Sequence, residues 1–86
     1  MKIKIYTQNG CPQCKMTKRV LDQLELPYEE INVSLLGDKE NKTRNHLKDD
    51  LNFRAFPCVI TEEEAWSGFR PDKLRALKGL SDGKNL

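Results

Sequence analysis

The stretch Asn9-Gly10-Cys11-Pro12-Gln13-Cys14-Lys15 lies where an alternating strand pattern gives way to a helical one. Residues 2–6 alternate polar and apolar side chains and include two β-branched isoleucines, which predicts a strand. Residues 12–25 place apolar side chains on one face at helical spacing, which predicts a helix. Two cysteines separated by two residues at such a junction indicate a thiol redox motif.

Pro12 predicts how this helix begins. Proline is favoured at the first helical position, where no hydrogen bond is lost, and the residue before it is held in an extended conformation. We therefore expect Cys11 at the N-cap and Cys14 at the third helical position. The amides of Gln13 and Cys14 and the positive end of the helix dipole then favour the Cys11 thiolate. Such settings lower a cysteine pKa from about 8.5 to between roughly 3.5 and 7.5.

These positions predict two different roles for the cysteines. Cys11 is the expected nucleophile, and Cys14, one turn into the helix on its apolar side, is the expected resolving thiol. A disulfide needs Cβ atoms about 3.5–4.5 Å apart, closer than the roughly 5–6 Å between helical neighbours. The non-helical cap at Cys11 allows that approach, so a redox-active Cys11–Cys14 disulfide is predicted.

A zinc site and a purely structural disulfide are the alternatives to redox chemistry. Zinc usually takes four ligands, and outside the close pair the chain has only Cys58 and His46. His46 lies in a polar stretch and is expected to be exposed. A structural disulfide is disfavoured in a reducing compartment. Dithiol redox chemistry without a metal or a bound cofactor is therefore the favoured interpretation, and a metal-binding module stays an alternative.

Length and composition limit the other possibilities. The 86 residues, 37% hydrophobic and 33% charged, predict one domain over residues 1–80 with a flexible tail at 81–86. A net charge of +2 gives no argument for nucleic-acid binding. No apolar run approaches the roughly 20 residues of a membrane span, and no secretory signal pattern is present at the start. We expect a cytoplasmic protein that acts as a monomer.

The rest of the chain predicts a small α/β arrangement. A second strand at residues 28–33 completes a right-handed βαβ unit with parallel strands. Residues 38–52 form a polar segment whose thin apolar stripe, Leu47 and Leu51, predicts a loosely held helix. A third strand follows at 58–61 and a brief fourth strand around Ala65-Trp66. A last helix is expected to begin at Pro71 and to end at Gly79.

The order β1-α1-β2-α2-β3-β4-α3, with Cys-Pro-x-Cys at the first helix, resembles the thioredoxin fold and specifically the glutaredoxins. That resemblance implies a four-stranded mixed sheet with three helices. It also implies that Pro57 is cis beside the dithiol and that the backbone of Phe56 pairs with bound substrate. The substrate-binding positions it implies are Pro12, Gln13, Phe56 and Pro57.

A narrower resemblance lies at Trp66-Ser67-Gly68-Phe69-Arg70-Pro71, which is similar to the W-S-G-F-R-P signature of NrdH-type redoxins. It implies reduction by thioredoxin reductase and electron donation to the large subunit of class Ib ribonucleotide reductase. The hexapeptide would form a hydrogen-bonded corner with a partly exposed aromatic patch for the reductase. The alternative is a purely structural corner in which Trp66 and Phe69 fill the core.

Two positions bear on glutathione as an alternative reductant. Glutaredoxins typically have Gly-Gly followed by Asp where this chain has Ser67-Gly68, and commonly a lysine where it has Gln8. Both differences disfavour a glutathione site, whereas Pro12 is glutaredoxin-like, so a glutathione-dependent glutaredoxin stays an alternative. Cys58 is expected to be a small buried apolar residue, the other possibility being a third redox thiol.

Overall fold

The computed structural model describes the backbone of residues 2–84 and the side chains of residues 2–79. It has the predicted four-stranded mixed sheet and three helices of the thioredoxin fold. The elements are β1 Lys4–Thr7, α1 Pro12–Gln23, β2 Glu29–Asn32, α2 Glu40–Asn45, β3 Cys58–Ile60, β4 Ala65–Ser67 and α3 Pro71–Lys84. No helix in this part of the chain is long and apolar enough to cross a membrane.

The sheet has the strand order β2-β1-β3-β4, so β1 is central. β1 is parallel to β2 and antiparallel to β3, and β4 pairs antiparallel with β3. Ile5 lies opposite Val59, which in turn lies opposite Trp66. This row forms the sheet side of the main core. The core also contains buried side chains from α1, α3 and the flanking segments: Ile3, Leu21, Leu26, Leu74 and Leu77.

α1 ends at Gln23, two residues before the predicted end at Glu25. Leu24 is the C-cap, and Glu25 adopts a left-handed conformation with a φ of 58°. The amide of Leu26 then donates to the carbonyl of Leu21 at 3.0 Å. Because this reversal satisfies helix-end carbonyls and buries Leu26 in the core, the helix ends before Pro27 is reached.

The helix predicted within residues 38–52 is present, but it is shorter than predicted and is not continuous. The segment divides into a 3₁₀ turn at Gly37–Lys39, α2 and a π-helical turn at His46–Asp50. Its attachment is also firmer than expected, because Leu47 is only 1% exposed. Leu47 packs with Val33 and Cys58 in a second core cluster. A segment with only a thin apolar stripe thus still contains one fully buried side chain that attaches it to the core.

Several element ends also differ from the sequence-based prediction. Val33 was predicted in the second strand but begins a 3₁₀ turn, because the Asn32 side chain accepts a hydrogen bond from the amide of Ser34 at 2.9 Å. α3 continues through Gly79 to Lys84, so the predicted end at Gly79 is wrong. A glycine inside a helix costs only about 1 kcal/mol relative to alanine, which packing can offset. Residues 85 and 86 of the predicted tail lie outside the described residues.

Candidate active site

The two cysteines of the first motif lie where the sequence predicts them. Cys11 is the N-cap of α1 with an extended backbone, and Pro12 is the first helical residue. The amide of Cys14 donates to Cys11 Sγ at 3.1 Å. The two sulfur atoms are disulfide-bonded, with the Cα atoms of the two cysteines 5.3 Å apart. When the pair is reduced, this donor and the helix N-terminus favour a negative charge on Cys11.

The segment before β3 forms a second part of the site. The peptide bond between Phe56 and Pro57 is cis, as the resemblance implies. Pro57 is buried, and its carbonyl oxygen accepts a hydrogen bond from the amide of Gly68 at 2.8 Å. This bond ties the segment before β3 to the corner between β4 and α3.

That corner also lies against the dithiol loop. A Cβ placed on Gly68 would lie 4.0 Å from Oε1 of Gln13, the residue between the two cysteines that precedes Cys14. Gly68 has a φ of +86°, a conformation that favours glycine. The structure therefore brings the dithiol loop, Pro57 and the Trp66–Pro71 corner together around one site.

The aromatic side chains of the corner are more buried than the partly exposed patch that the resemblance implies. Trp66 is only 4% exposed and belongs to the main core, and Phe69 is half-buried against it. Lys73 Nζ lies 5.7 Å from the centre of the Trp66 ring and pairs with Glu64. For Trp66 the structure fits the alternative, a corner whose aromatic side chain fills the core, because Leu74 and Leu77 of α3 belong to the same buried cluster. Arg70 is exposed.

Sequence reasoning missed a polar network that holds the loop before Cys11. The amide of Asn9 donates to Ser34 Oγ at 3.0 Å, and Asn32 Nδ2 donates to Asn9 Oδ1 at 3.0 Å. These bonds attach the dithiol loop to the end of β2. Asn32 as a local cap was detectable from sequence, since asparagine favours such turns, but its contact with residue 9 was not.

The carboxylate of Glu30, on the edge strand β2, lies beside the end of β1. Thr7 Oγ1 donates to Glu30 Oε2 at 2.7 Å, and Lys18 Nζ lies 3.1 Å from the same oxygen. These contacts, the Thr7 hydrogen bond first, lower the pKa of the Glu30 carboxyl. Lys18, in the middle of α1, is thereby held by a carboxylate rather than by a thiol.

Cys58 is the buried residue that the sequence predicts. It is 1% exposed, and its thiol donates to the carbonyl oxygen of Ala55 at 3.3 Å. Burial raises the pKa of this thiol to about 11. His46 is exposed, as predicted, and pairs with Asp50 at 2.6 Å. Within the described part of the chain no three His, Cys, Asp or Glu side chains are arranged to hold a metal.

A Cys58→Val variant should show how much of the pH dependence of the free energy of unfolding comes from this thiol. The folded-state pKa of about 11 lies above the ordinary value of 9.0, so the unfolded chain loses its proton first as the pH rises. Cys58 thus destabilises the wild type above pH 9, by up to about 1.4 kcal/mol per pH unit. Urea unfolding of both proteins at pH 8 and pH 10.5 measures this difference, and equal slopes with pH would contradict it.

Turnover of the same variant tests whether Cys58 is a third redox thiol. We expect unchanged turnover and the same oxidised species as in the wild type, because the buried neutral thiol is a poor nucleophile. Mass spectrometry of alkylated and oxidised protein measures the species. A wild-type disulfide that includes Cys58 and disappears in the variant would contradict this expectation.

Comparison with known proteins agrees with the dithiol redox site that the geometry shows. The glutaredoxin family model matches residues 3–66. The glutaredoxin-like protein NrdH of Salmonella typhimurium is 39% identical over 77 residues, which cover 90% of this chain and 89% of that protein. The chain belongs to the NrdH-type glutaredoxin-like proteins. It is therefore a thiol–disulfide oxidoreductase.

Further NrdH proteins extend this relationship. That of Lactococcus lactis subsp. lactis is 35% identical over 75 residues, 87% of this chain and 97% of that protein. The solved structure of NrdH-redoxin from Escherichia coli superposes with a TM-score of 0.75 at 39% identity, covering 90% of this chain and 95% of that one.

Proposed function

We propose that this redoxin passes electrons from thioredoxin reductase to the large subunit of class Ib ribonucleotide reductase. The observation that carries the proposal is the corner at Trp66–Ser67–Gly68, whose Gly68 amide is hydrogen-bonded to the Pro57 carbonyl beside the dithiol. Its hexapeptide resembles the NrdH signature. The solved Escherichia coli relative is described by a thioredoxin-like activity profile, which supports a thioredoxin-type reductant.

The proposed chemistry is a two-electron dithiol–disulfide exchange. The Cys11 thiolate attacks one sulfur of the substrate disulfide, forms a mixed disulfide and releases the other substrate sulfur as a thiolate, which takes up a proton. Cys14 then loses its proton and attacks Cys11. This step releases the second substrate thiol and leaves the Cys11–Cys14 disulfide. Thioredoxin reductase returns two electrons from NADPH, so the redoxin itself needs no bound cofactor.

The neighbours of the dithiol are proposed to hold the substrate during this exchange. The backbone of Phe56 is available beside Pro57 for strand-like pairing, and Pro12 and Gln13 are exposed next to the disulfide. The N-terminus of α1 stabilises the thiolate that attacks and later leaves. We expect the protein to act as a monomer in the cytoplasm. A reducing environment there keeps the free Cys58 thiol reduced.

Glutathione is the second candidate reductant, favoured by the proline in Cys11-Pro12-Gln13-Cys14. At the position where glutaredoxins commonly carry lysine, Gln8 accepts a hydrogen bond from Arg44 Nη1 at 3.0 Å. A neutral amide that is already engaged gives little attraction for a glutathione carboxylate. Arg44, the cation that contacts Gln8, is itself paired with Glu40 at 2.8 Å, so its charge is offset too, and this arrangement favours thioredoxin reductase over glutathione.

A coupled assay of NADPH oxidation tests the proposal. Purified class Ib ribonucleotide reductase is supplied with the redoxin and either thioredoxin reductase, or glutathione with glutathione reductase. We expect turnover with thioredoxin reductase to be at least about tenfold faster, equivalent to about 1.4 kcal/mol. Cys11→Ser protein is the control for background. Equal or faster turnover with glutathione would contradict the proposal.

A further inference from the structure

A groove opens between the α2 region and the segment that leads into Pro57. It has a volume of about 400 Å³ and combines aromatic, aliphatic and cationic side chains, which are Arg44, Leu47, Lys48, Phe53, Arg54 and Phe56. None of these residues is acidic. The groove therefore has an apolar interior with a positively charged rim.

This groove is continuous with the dithiol site. Phe56, one of its walls, directly precedes Pro57. The guanidinium group of Arg44 lies 5.4 Å from the centre of the Phe56 ring. The same guanidinium donates to Gln8 Oε1 at 3.0 Å, three residues before Cys11. A chain that pairs with the backbone of Phe56 can therefore extend from the dithiol into the groove.

The cations of the groove differ in how far their charges are compensated. Arg44 Nε donates to Glu40 Oε2 at 2.8 Å, which offsets its charge. Lys48 and Arg54 are exposed, and within residues 2–79 neither has an ion pair. Lys48 and Arg54 thus place two positive charges at the rim of the groove without an ion pair among the described residues.

The acidic residues next in sequence do not neutralise this rim. Asp49 and Asp50 line a different cleft, on the side of the segment that contains His46. Asp50 is also paired with His46. Because Asp49 and Asp50 line a different cleft from Lys48 and Arg54, the groove presents a positive potential to an approaching partner.

We infer that this groove recognises a segment of the protein substrate in which an apolar side chain stands next to carboxylates. The apolar side chain packs against Phe53 and Phe56, and the carboxylates pair with Lys48 and Arg54. Opposite charges at an exposed rim chiefly raise the rate of encounter and select among partners. This inference rests on the proposed function, because it assigns the disulfide substrate as the occupant.

Single-turnover reduction of synthetic peptides tests the inference. Each peptide carries the same Cys-x-x-Cys disulfide, followed by Asp-Asp-Leu, Lys-Lys-Leu or Asp-Asp-Ser. The redoxin is reduced chemically beforehand, so no reductase takes part. We expect the Asp-Asp-Leu peptide to react fastest, because only it offers both the carboxylates and the apolar side chain.

A charge-reversed variant, Lys48→Glu with Arg54→Glu, tests whether the preference for the acidic peptide comes from the groove. We expect its rate with the Asp-Asp-Leu peptide to fall by about 3- to 20-fold at low salt. In 1 M salt the difference should nearly vanish, because the screening length falls from about 10 Å at 0.1 M to about 3 Å. The control variant replaces Arg19 of α1 and Arg75 of α3 by glutamate and so changes the net charge by the same amount. Its rate should stay within about twofold of the wild-type rate.

Reduction of the neutral bis(2-hydroxyethyl) disulfide checks that each variant keeps a working dithiol. Equal losses in the two double variants would overturn the inference, because net charge and not the groove would then set the rate. A wild-type preference for the basic peptide, or no preference, would overturn it without any variant. Since no reductase is present, these results are independent of whether thioredoxin reductase supports turnover.

Discussion

A Cys11→Ser variant is expected to lose turnover by at least about 10³-fold, the scale on which enzymes lose activity when their nucleophile is removed. A serine hydroxyl cannot form the mixed disulfide that the proposed exchange requires. The fold should be retained, because serine is itself a favoured N-cap and can accept the hydrogen bond from the Cys14 amide. NADPH oxidation in the coupled assay measures the loss, and circular dichroism checks the fold.

Cys14→Ser is the matched variant at the second cysteine. It keeps the nucleophile but lacks the resolving thiol, so the mixed disulfide between Cys11 and the substrate should accumulate. Mass spectrometry after acid quenching detects this adduct, which Cys11→Ser should not form. An adduct on Cys14 in the Cys11→Ser protein, with turnover preserved, would reverse the proposed roles of the two cysteines.

The second large effect is expected from Leu47→Ala. Leu47 is 1% exposed in the cluster with Val33 and Cys58, against which Phe53 and Phe56 also pack. Truncating such a leucine costs about 2–5 kcal/mol in the free energy of unfolding. For a chain of this length a loss of about 3 kcal/mol lowers Tm by on the order of 12–24 °C. Urea and thermal unfolding measure both quantities.

Leu35→Ala is the control for this substitution. Leu35 follows β2 in a 3₁₀ turn and is 74% exposed, so its truncation should change stability by less than about 0.5 kcal/mol. A loss at Leu47 as small as that at Leu35 would mean that the α2 region is only loosely attached, as the polar sequence predicts. The structure predicts instead that this region is an integral part of the second core cluster.

The centre of the site could be predicted from sequence because its determinants are local. Proline at the first helical position fixes the residue before it as the N-cap, and one helical turn separates Cys11 from Cys14. The cis geometry of Pro57 followed only from the family resemblance. The sequence left open whether Trp66 fills the core or belongs to a partly exposed patch, because this depends on how α3 packs on the sheet. Contacts between residues distant in the chain decide such cases.

The α2 region shows the same limit for the fold. Its helical periodicity was detectable, but the π-helical turn at His46–Asp50 and the reversal at Asn52, whose φ is 57°, were not. The amide of Phe53 there donates to the carbonyl of Leu47 at 2.8 Å. This reversal brings Phe53 and Arg54 into the same groove as Leu47 and Lys48. The charged groove therefore could not be predicted from any single stretch of sequence.

Burial of Cys58 has a consequence for the reversibility of unfolding. In the folded protein its thiol is shielded from solvent and hydrogen-bonded to Ala55. Denaturation exposes it at its ordinary acidity beside the other cysteines, and the three sulfurs of the chain can then pair in three ways. Exchange in the denatured chain produces non-native disulfides that trap it, unless a reductant is present. Heated samples should therefore recover fully on cooling with dithiothreitol and only partly in air.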